Sequence, residues 1–313
     1  MSWIEKISKK LKPKLDNLFR TKSSIPDNLW TNCAACSDII YKEDIENNLY
    51  CCTKCQEPQQ ILPRQRFEIL FDEGTFEELE TPRLSSDPLH WKDITPYKDK
   101  VKAARQKFNQ RHAALVATGN IKNIKTVVYC MNQKFLGGSV GIEEGEAFVF
   151  ACKYAVEQNI PFIAFPQTGG QKMQHSAYAL MQMPKSIIGL QMLEEKGIPA
   201  IIMATSPVAG GVTASWFYGP SVFVFAESEH TKIMFAGPNV IKRTIGEDLP
   251  DGFQTAGYLL KKGFVDRIIH RKNHREELSN LLSILLNLKN TQATSSLDAT
   301  DENPISSQQT LSA

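Results

Sequence analysis

No stretch of the chain is apolar for long enough to cross a bilayer as a helix, and the N-terminus lacks the apolar core of a signal peptide. A cytosolic, cytoplasmic location is the expectation that follows. An excess of one charge is also missing. Over 313 residues the formal net charge is +2, too small by itself to imply a nucleic-acid binder. The seven cysteines, in a reducing compartment, argue against a disulfide framework. What remains is a globular composition. Hydrophobic residues make up 42%, enough for a core, and the length suits one large domain plus a small module.

Four of the cysteines carry a pattern of their own. Cys33-x-x-Cys36 and Cys52-x-x-Cys55 are separated by fifteen residues. Thiolates at this spacing form two knuckles that close a tetrahedral Zn²⁺ site. All four ligands are sulfur, which leaves no open position for a catalytic water, so a zinc here is structural. A rubredoxin-like iron site is the chemical alternative. Cys51 lies outside the frame and reads as a spectator. So short a module cannot fold on apolar burial alone, and metal binding supplies its folding energy. Such ribbons also bind nucleic acid, and here Lys42 and Lys54 offer a thin basic patch for weak binding.

The expected organisation is a basic helix or tail over 1–28, a ribbon over 29–60, a large α/β domain over 61–290 and a disordered tail over 291–313. The first segment carries Lys6, Lys9, Lys10, Lys12, Lys14, Arg20 and Lys22 against Glu5 and Asp16. A solvated basic tail, a membrane-surface or docking helix and a transit peptide are its three readings. The last segment is rich in Ser, Thr, Gln and Asn with few aromatics. Between them, Pro82 to Pro96 reads as an irregular connector and Lys98 to Arg111 as a charged helix. Ala113–Thr118 and Lys125–Cys130 read as paired strands, followed by a helix to about Gln158. Later strands are expected at Ser221–Ala226, Lys232–Ala236 and Phe264–Ile269, with a closing helix over Leu278–Leu288.

One pattern is written twice in the large domain. The apolar run from Pro161 to Phe165 leads to Gly169-Gly170 and a helix-like segment from Gln171. The run from Pro199 to Ala204 leads to Gly210-Gly211 and then Val212-Thr213-Ala214-Ser215. Each copy reads as buried strand, glycine turn and helix start. Paired glycines let backbone approach a ligand closely, and helix starts offer unpaired N–H groups to an oxyanion. Two tight βα turns that bind nothing are the bland alternative.

A third glycine cluster, Gly137-Gly138-Ser139-Val140-Gly141, matches the G-x-S-x-G nucleophile elbow between a strand and a helix. A serine hydrolase would then need an acid and a histidine, for which Asp248 or Asp266 and His270 or His274 are available. After this cluster Glu143, Glu144 and Glu146 sit where a helix dipole favours acids.

Taken together, the ordered pieces resemble one family, the β subunit of the bacterial acetyl-coenzyme A carboxylase carboxyltransferase. The matching pieces are Met1-Ser-Trp-Ile4, the four-cysteine ribbon, Phe135-Leu-Gly-Gly-Ser139, Gly169-Gly170 with Met173-Gln174, Gly210-Gly211-Val212 with Ala214-Ser215, Phe235-Ala-Gly-Pro238 and Leu249 to Gln254. The resemblance spans roughly residues 1–288. It implies a crotonase-like spiral of ββα units, a zinc ribbon and an α₂β₂ complex with the α subunit. It also implies transfer of a carboxyl group from carboxybiotin to acetyl-CoA, giving malonyl-CoA for fatty acid synthesis. Gly169, Gly170, Gly210 and Gly211 are then the expected catalytic turns, with Gly137, Gly138, Lys172 and Val212 at the substrate. The chain has no Met-Lys-Met biotinyl site and no P-loop. Carboxybiotin is therefore expected to come from a biotin carboxyl carrier protein loaded by biotin carboxylase.

The sequence departs from the family at several of these positions. Gln171-Lys172-Met173-Gln174-His175 stands where the family usually reads Ala-Arg-Met-Gln-Glu, and Val208-Ala209 where Thr-Thr is common. These changes bear on rate and acyl-CoA preference. A carboxyltransferase for another acyl-CoA, and a degenerate zinc-ribbon regulator or nucleic-acid binder, are the alternatives.

Overall fold

Alternation of side chains along the central strands decides the architecture. Val127, Tyr129 and Met131 join one apolar cluster, whereas Val128 and Cys130 join another. The same split separates Phe162 and Ala164 from Ile163 and Phe165, and Ala200, Ile202 and Ala204 from Ile201 and Met203. Strands buried on both faces demand a sheet with layers on either side. The computed structural model describes residues 29–288, so the expectations for 1–28 and for the tail from 291 lie outside the described residues. Two compact units are present, whose described parts are residues 29–59 and 60–288.

In the first unit, β1 (Trp30–Asn32) pairs antiparallel with β2 (Ile39–Tyr41), and α1 (Lys42–Asn47) follows. Its apolar cluster is Ile40 and Ile45 with Cys33 and Cys52, flanked by Tyr50. That is too little burial to hold thirty residues in place without a cross-link.

The second unit begins with α2 (Pro63–Leu70), the short β3 (Glu77–Glu78) and α3 (Tyr97–Phe108). The hairpin of β4 (Ala114–Ile121) and β5 (Ile124–Met131) leads to α4 (Ile142–Gln158). Then come β6 (Phe162–Phe165), α5 (Ala177–Leu180), α6 (Gln182–Glu195), β7 (Ala200–Ala204), β8 (Val208–Ala209), α7 (Gly211–Trp216) and β9 (Val222–Ala226). The chain closes with β10 (Ile233–Met234), α8 (Pro238–Ile245), α9 (Ala256–Lys261), β11 (Arg267–Ile268) and α10 (His274–Leu285).

Seven strands form the main sheet in the order β11-β9-β7-β6-β5-β4-β3. The β3–β4–β5 end is antiparallel, and from β5 to β11 every pairing is parallel. On one face Phe148 of α4 stacks on Trp216 of α7 at 4.2 Å, and both meet Tyr129. On the other face α2 and α10 contribute Phe67, Leu70, Leu278 and Leu282.

Three expectations shift. No helix starts at Gln171; that residue bridges to Val140, and Ser176 takes φ +48 before α5 begins. The strands expected over Lys232–Ala236 and Phe264–Ile269 shrink to two residues each, and the closing helix starts four residues earlier, at His274.

Candidate functional site

In the ribbon, the Sγ atoms of Cys33, Cys36, Cys52 and Cys55 all lie within 4.8 Å of one another. The closest pairs are Cys33 with Cys55 at 3.6 Å and Cys36 with Cys52 at 3.7 Å. A tetrahedron with Zn–S of about 2.3 Å places its sulfurs about 3.8 Å apart, so the spacing fits zinc. The Ala35 and Lys54 amides point at Cys33 and Cys52 sulfurs from 3.4 and 3.3 Å, and Gln59 Nε2 reaches Cys33 at 3.4 Å. N–H groups aimed at sulfur stabilise thiolate, the form that binds a metal. Cys51 is buried and not one of the four.

In the large unit, the loops that follow β5, β6, β7 and β9 are stitched side by side. Val140 pairs with Gln171, Thr168 with Val208, and β8 with β10, all parallel. The three glycine clusters therefore meet. The Gly169 N–H donates to the Gly137 carbonyl at 3.0 Å, and the Val140 N–H to the Gly170 carbonyl at 2.9 Å. A Cβ added to Gly210 would lie 3.5 Å from the Gly170 Cα. Gly137 and Gly169 are exposed, Gly210 and Gly211 half-buried, and Gly138, Gly170 and Val212 buried.

The amides of these turns are less free than the sequence suggests. Gly169 donates to Gly137, Gly170 to Thr168 Oγ1 at 3.0 Å, and Gly210 to the Met234 carbonyl at 2.8 Å. The Gly138 N–H donates to the Phe135 carbonyl at 2.9 Å. By contrast, the Gly211 and Val212 amides, in the first turn of α7, have no acceptor among the described residues. Of the four expected catalytic glycines, Gly211 alone presents a free N–H, with Val212 beside it. The glycines themselves serve packing. A Cβ on Gly138 would stand 2.3 Å from the Gln167 carbonyl, and one on Gly211 would stand 2.6 Å from Met183 Sδ.

Lys172, which the family resemblance puts at the substrate, has its ammonium turned into the protein. It is buried, and its ammonium binds both Glu144 oxygens at 2.9 and 2.8 Å. Burial opposes the Lys172 charge, but Glu144 outweighs it and holds the pKa above the usual lysine value. Burial opposes the Glu144 charge too, yet Lys172 foremost brings it down to about 2. Glu144 also accepts the Gly141 N–H at 2.9 Å and the Ala113 N–H at 3.1 Å. His175 accepts the Ile142 N–H on Nδ1 at 3.2 Å, which leaves Nε2–H to donate to the Ser86 carbonyl at 3.0 Å.

Glu144, His175 and Gly141 are thus structural partners that sequence reasoning missed. One signal was available: a Glu three residues into a helix after a glycine start is half of a capping box. Gly141 is glycine because both side chains pass over it. A Cβ there would lie 2.5 Å from His175 Nδ1 and 2.8 Å from Lys172 Cδ. This accounts for the last glycine of the G-x-S-x-G match without a nucleophile. Ser139 donates its hydroxyl to the Leu136 carbonyl at 3.1 Å, and His274 is buried with Nε2 on the Ile269 carbonyl at 3.0 Å. Neither holds the other, as a nucleophile and base must.

The carboxyl transferase domain family matches residues 59–311, and the acetyl-CoA carboxylase zinc finger domain family matches residues 30–55. In fold, the chain resembles transcarboxylase 12S with TM-score 0.58 at 21% identity, covering 72% of this chain and 41% of that one. It also resembles a Pseudomonas malonate decarboxylase hetero-dimer with TM-score 0.51 at 19% identity, covering 72% and 86%. The acetyl-coenzyme A carboxylase carboxyl transferase subunit beta of Pelagibacter ubique is 40% identical over 96% of this chain and 97% of its own length. That of Dinoroseobacter shibae is 40% identical over 92% and 88%. With both units matched in order and the relatives aligned nearly end to end, the chain belongs to the family of acetyl-coenzyme A carboxylase carboxyl transferase beta subunits.

Proposed function

We propose that this chain is the β subunit of the carboxyltransferase that makes malonyl-CoA for fatty acid synthesis, working in the cytoplasm. It moves the carboxyl group of carboxybiotin to acetyl-CoA. The partners in this reading are a carboxyltransferase α subunit in an α₂β₂ assembly, a biotin carboxyl carrier protein and a biotin carboxylase. The ribbon binds one structural Zn²⁺ through Cys33, Cys36, Cys52 and Cys55 and takes no part in the chemistry.

In the reaction, the C–N bond of carboxybiotin breaks and releases CO₂. The ureido nitrogen left behind takes a proton from the acetyl methyl group, and the enolate carbon forms the new C–C bond to CO₂. No protein base is needed, which suits a glycine-lined site. The protein's task is to hold the thioester enolate oxygen. The observation that carries this assignment is the pair of unpartnered amides at Gly211 and Val212, next to the Gly170–Gly210 contact. Donors fixed where negative charge develops are the largest single source of rate in acyl chemistry. The exposed, open Gly137 gives the acyl-CoA room to approach alongside.

The test is co-purification with an α subunit, followed by malonyl-CoA-dependent carboxylation of a biotin analogue such as biocytin. An assembled complex without this activity would refute the proposal.

A further inference from the structure

We propose that Lys172 and Glu144 are positioning residues for the carboxyl transfer, their buried ion pair fixing the 169–172 loop against the 137–141 loop. The inference rests on the function proposed above. Its starting point is that one loop grips the first turn of α4 with two side chains. Lys172 does so through Glu144, and His175 through the Ile142 amide. Glu144 at the same time ties the start of β4 through Ala113 and the end of the 137–141 loop through Gly141.

The grip reaches the glycines by a short path. On either side of Gln171, the Lys172 N–H donates to the Val140 carbonyl at 2.8 Å and the Val140 N–H to the Gly170 carbonyl. Gly170 in turn rests against Gly210, whose neighbour carries the first free amide of α7. A shift of Lys172 therefore moves Gly170, and Gly170 is the surface on which the Gly210–Gly211 turn is seated.

Stability alone does not call for ions here. An apolar pair of equal volume often serves a buried site as well or better. The ion pair adds direction, with the ammonium 2.8 and 2.9 Å from the two oxygens of a carboxylate that two backbone amides hold in place, while the Tyr129 hydroxyl holds the Glu144 carbonyl. Donors held within about half an ångström of the productive geometry need such support, and a misplacement of about 1 Å costs about a hundredfold in rate.

The experiment uses the assembled carboxyltransferase with malonyl-CoA and biocytin, at a temperature where circular dichroism shows each variant fully folded. Lys172→Met and Glu144→Gln should lower kcat about ten- to a hundredfold. The KM for malonyl-CoA should stay within about twofold, since the pair touches no substrate. Lys172→Arg, which restores a cation within reach of Glu144, should recover most of kcat. Wild-type kcat in both neutral variants overturns the proposal, and so does a loss confined to KM. Failure of both variants to assemble overturns it as well, because the pair would then serve folding alone. Gly210→Val separates the two readings. If it is inactive while Lys172→Met is normal, only the positioning role fails. If Gly210→Val turns over normally, the glycine turns are not the site and the proposal falls with that reading.

Discussion

Lowering the pH from 7 to 5 should destabilise the 60–288 unit by about 2 kcal/mol, a figure set by three buried groups. His112 and His274 are 2% and 3% exposed, and burial holds them neutral, with pKa values of about 4 and about 3. In the unfolded chain each titrates near 6.5. Below 6.5 the unfolded chain therefore binds protons that the folded protein refuses, and stability falls with pH until the folded pKa is reached. At pH 5 each histidine costs about 2 kcal/mol, or about 4 kcal/mol for the two. Burial, then the neighbouring Lys172 charge, lowers the His175 pKa as well, with the same sign.

Glu143 works in the opposite direction. It is 2% exposed, and burial, then the neighbouring Glu144 charge, push its carboxyl up to about 7 against the pull of Arg105. Here the folded protein binds the proton first, so stability rises as pH falls from 7 toward the unfolded value near 4.3. Between pH 7 and 5 this returns about 2 kcal/mol, half the histidine loss. Glu144 and Glu227 stay out of the interval. Their folded pKa values are depressed, so what they contribute is lost only as pH drops below about 4. Urea unfolding followed by the fluorescence of buried Trp216, in a background with Trp3, Trp30 and Trp91 each replaced by Phe, measures the difference. Glu143→Gln removes the opposing contribution, and the loss between pH 7 and 5 should then grow to about 4 kcal/mol. Equal or greater stability at pH 5 in the parent, or an unchanged loss in Glu143→Gln, would refute the reasoning.

Cys52→Ala should abolish stoichiometric zinc binding and unfold the 29–59 unit; full metal retention on elemental analysis would contradict the ribbon assignment. Ser139→Ala removes one hydrogen bond to the Leu136 carbonyl, worth about 1 kcal/mol, and should keep most activity. Stoichiometric labelling of Ser139 by a fluorophosphonate would revive the hydrolase reading. Gly210 has φ +66 and ψ −132, a conformation open to glycine and closed to a β-branched residue. Gly210→Val should therefore displace the turn and lower kcat about 10²–10³-fold while zinc content and assembly with the α subunit persist.

The parts that could be read in the sequence are those whose signal is local. Period-2 burial in β5, β6 and β7 follows from runs such as Val127 to Met131, and the four-cysteine spacing fixes its own geometry. The glycine turns were also visible, because two adjacent glycines after a buried run have few other uses. What each glycine is for was not visible, since it depends on chain that arrives from elsewhere. The Gly210 amide is taken by Met234, twenty-four residues later in the chain, and the Gly211 amide is left open. Nothing in the Gly-Gly pair distinguishes the two. Lys172 shows the same limit with opposite consequence. The family resemblance puts Lys172 at the substrate, where a cation would face the thioester enolate. Its partner is Glu144, twenty-eight residues earlier, and the two meet only because the 137–141 and 169–172 loops lie side by side. Gly141 records that meeting in the sequence, since it is the one residue small enough to let Lys172 and His175 cross it. Gly141 is thus the imprint of neighbouring side chains in a motif that reads as a ligand turn. Telling a ligand turn from a packing turn takes the count of amides already used, and in the Gly210–Gly211 turn that count leaves Gly211, Val212 and Thr213 open among the described residues.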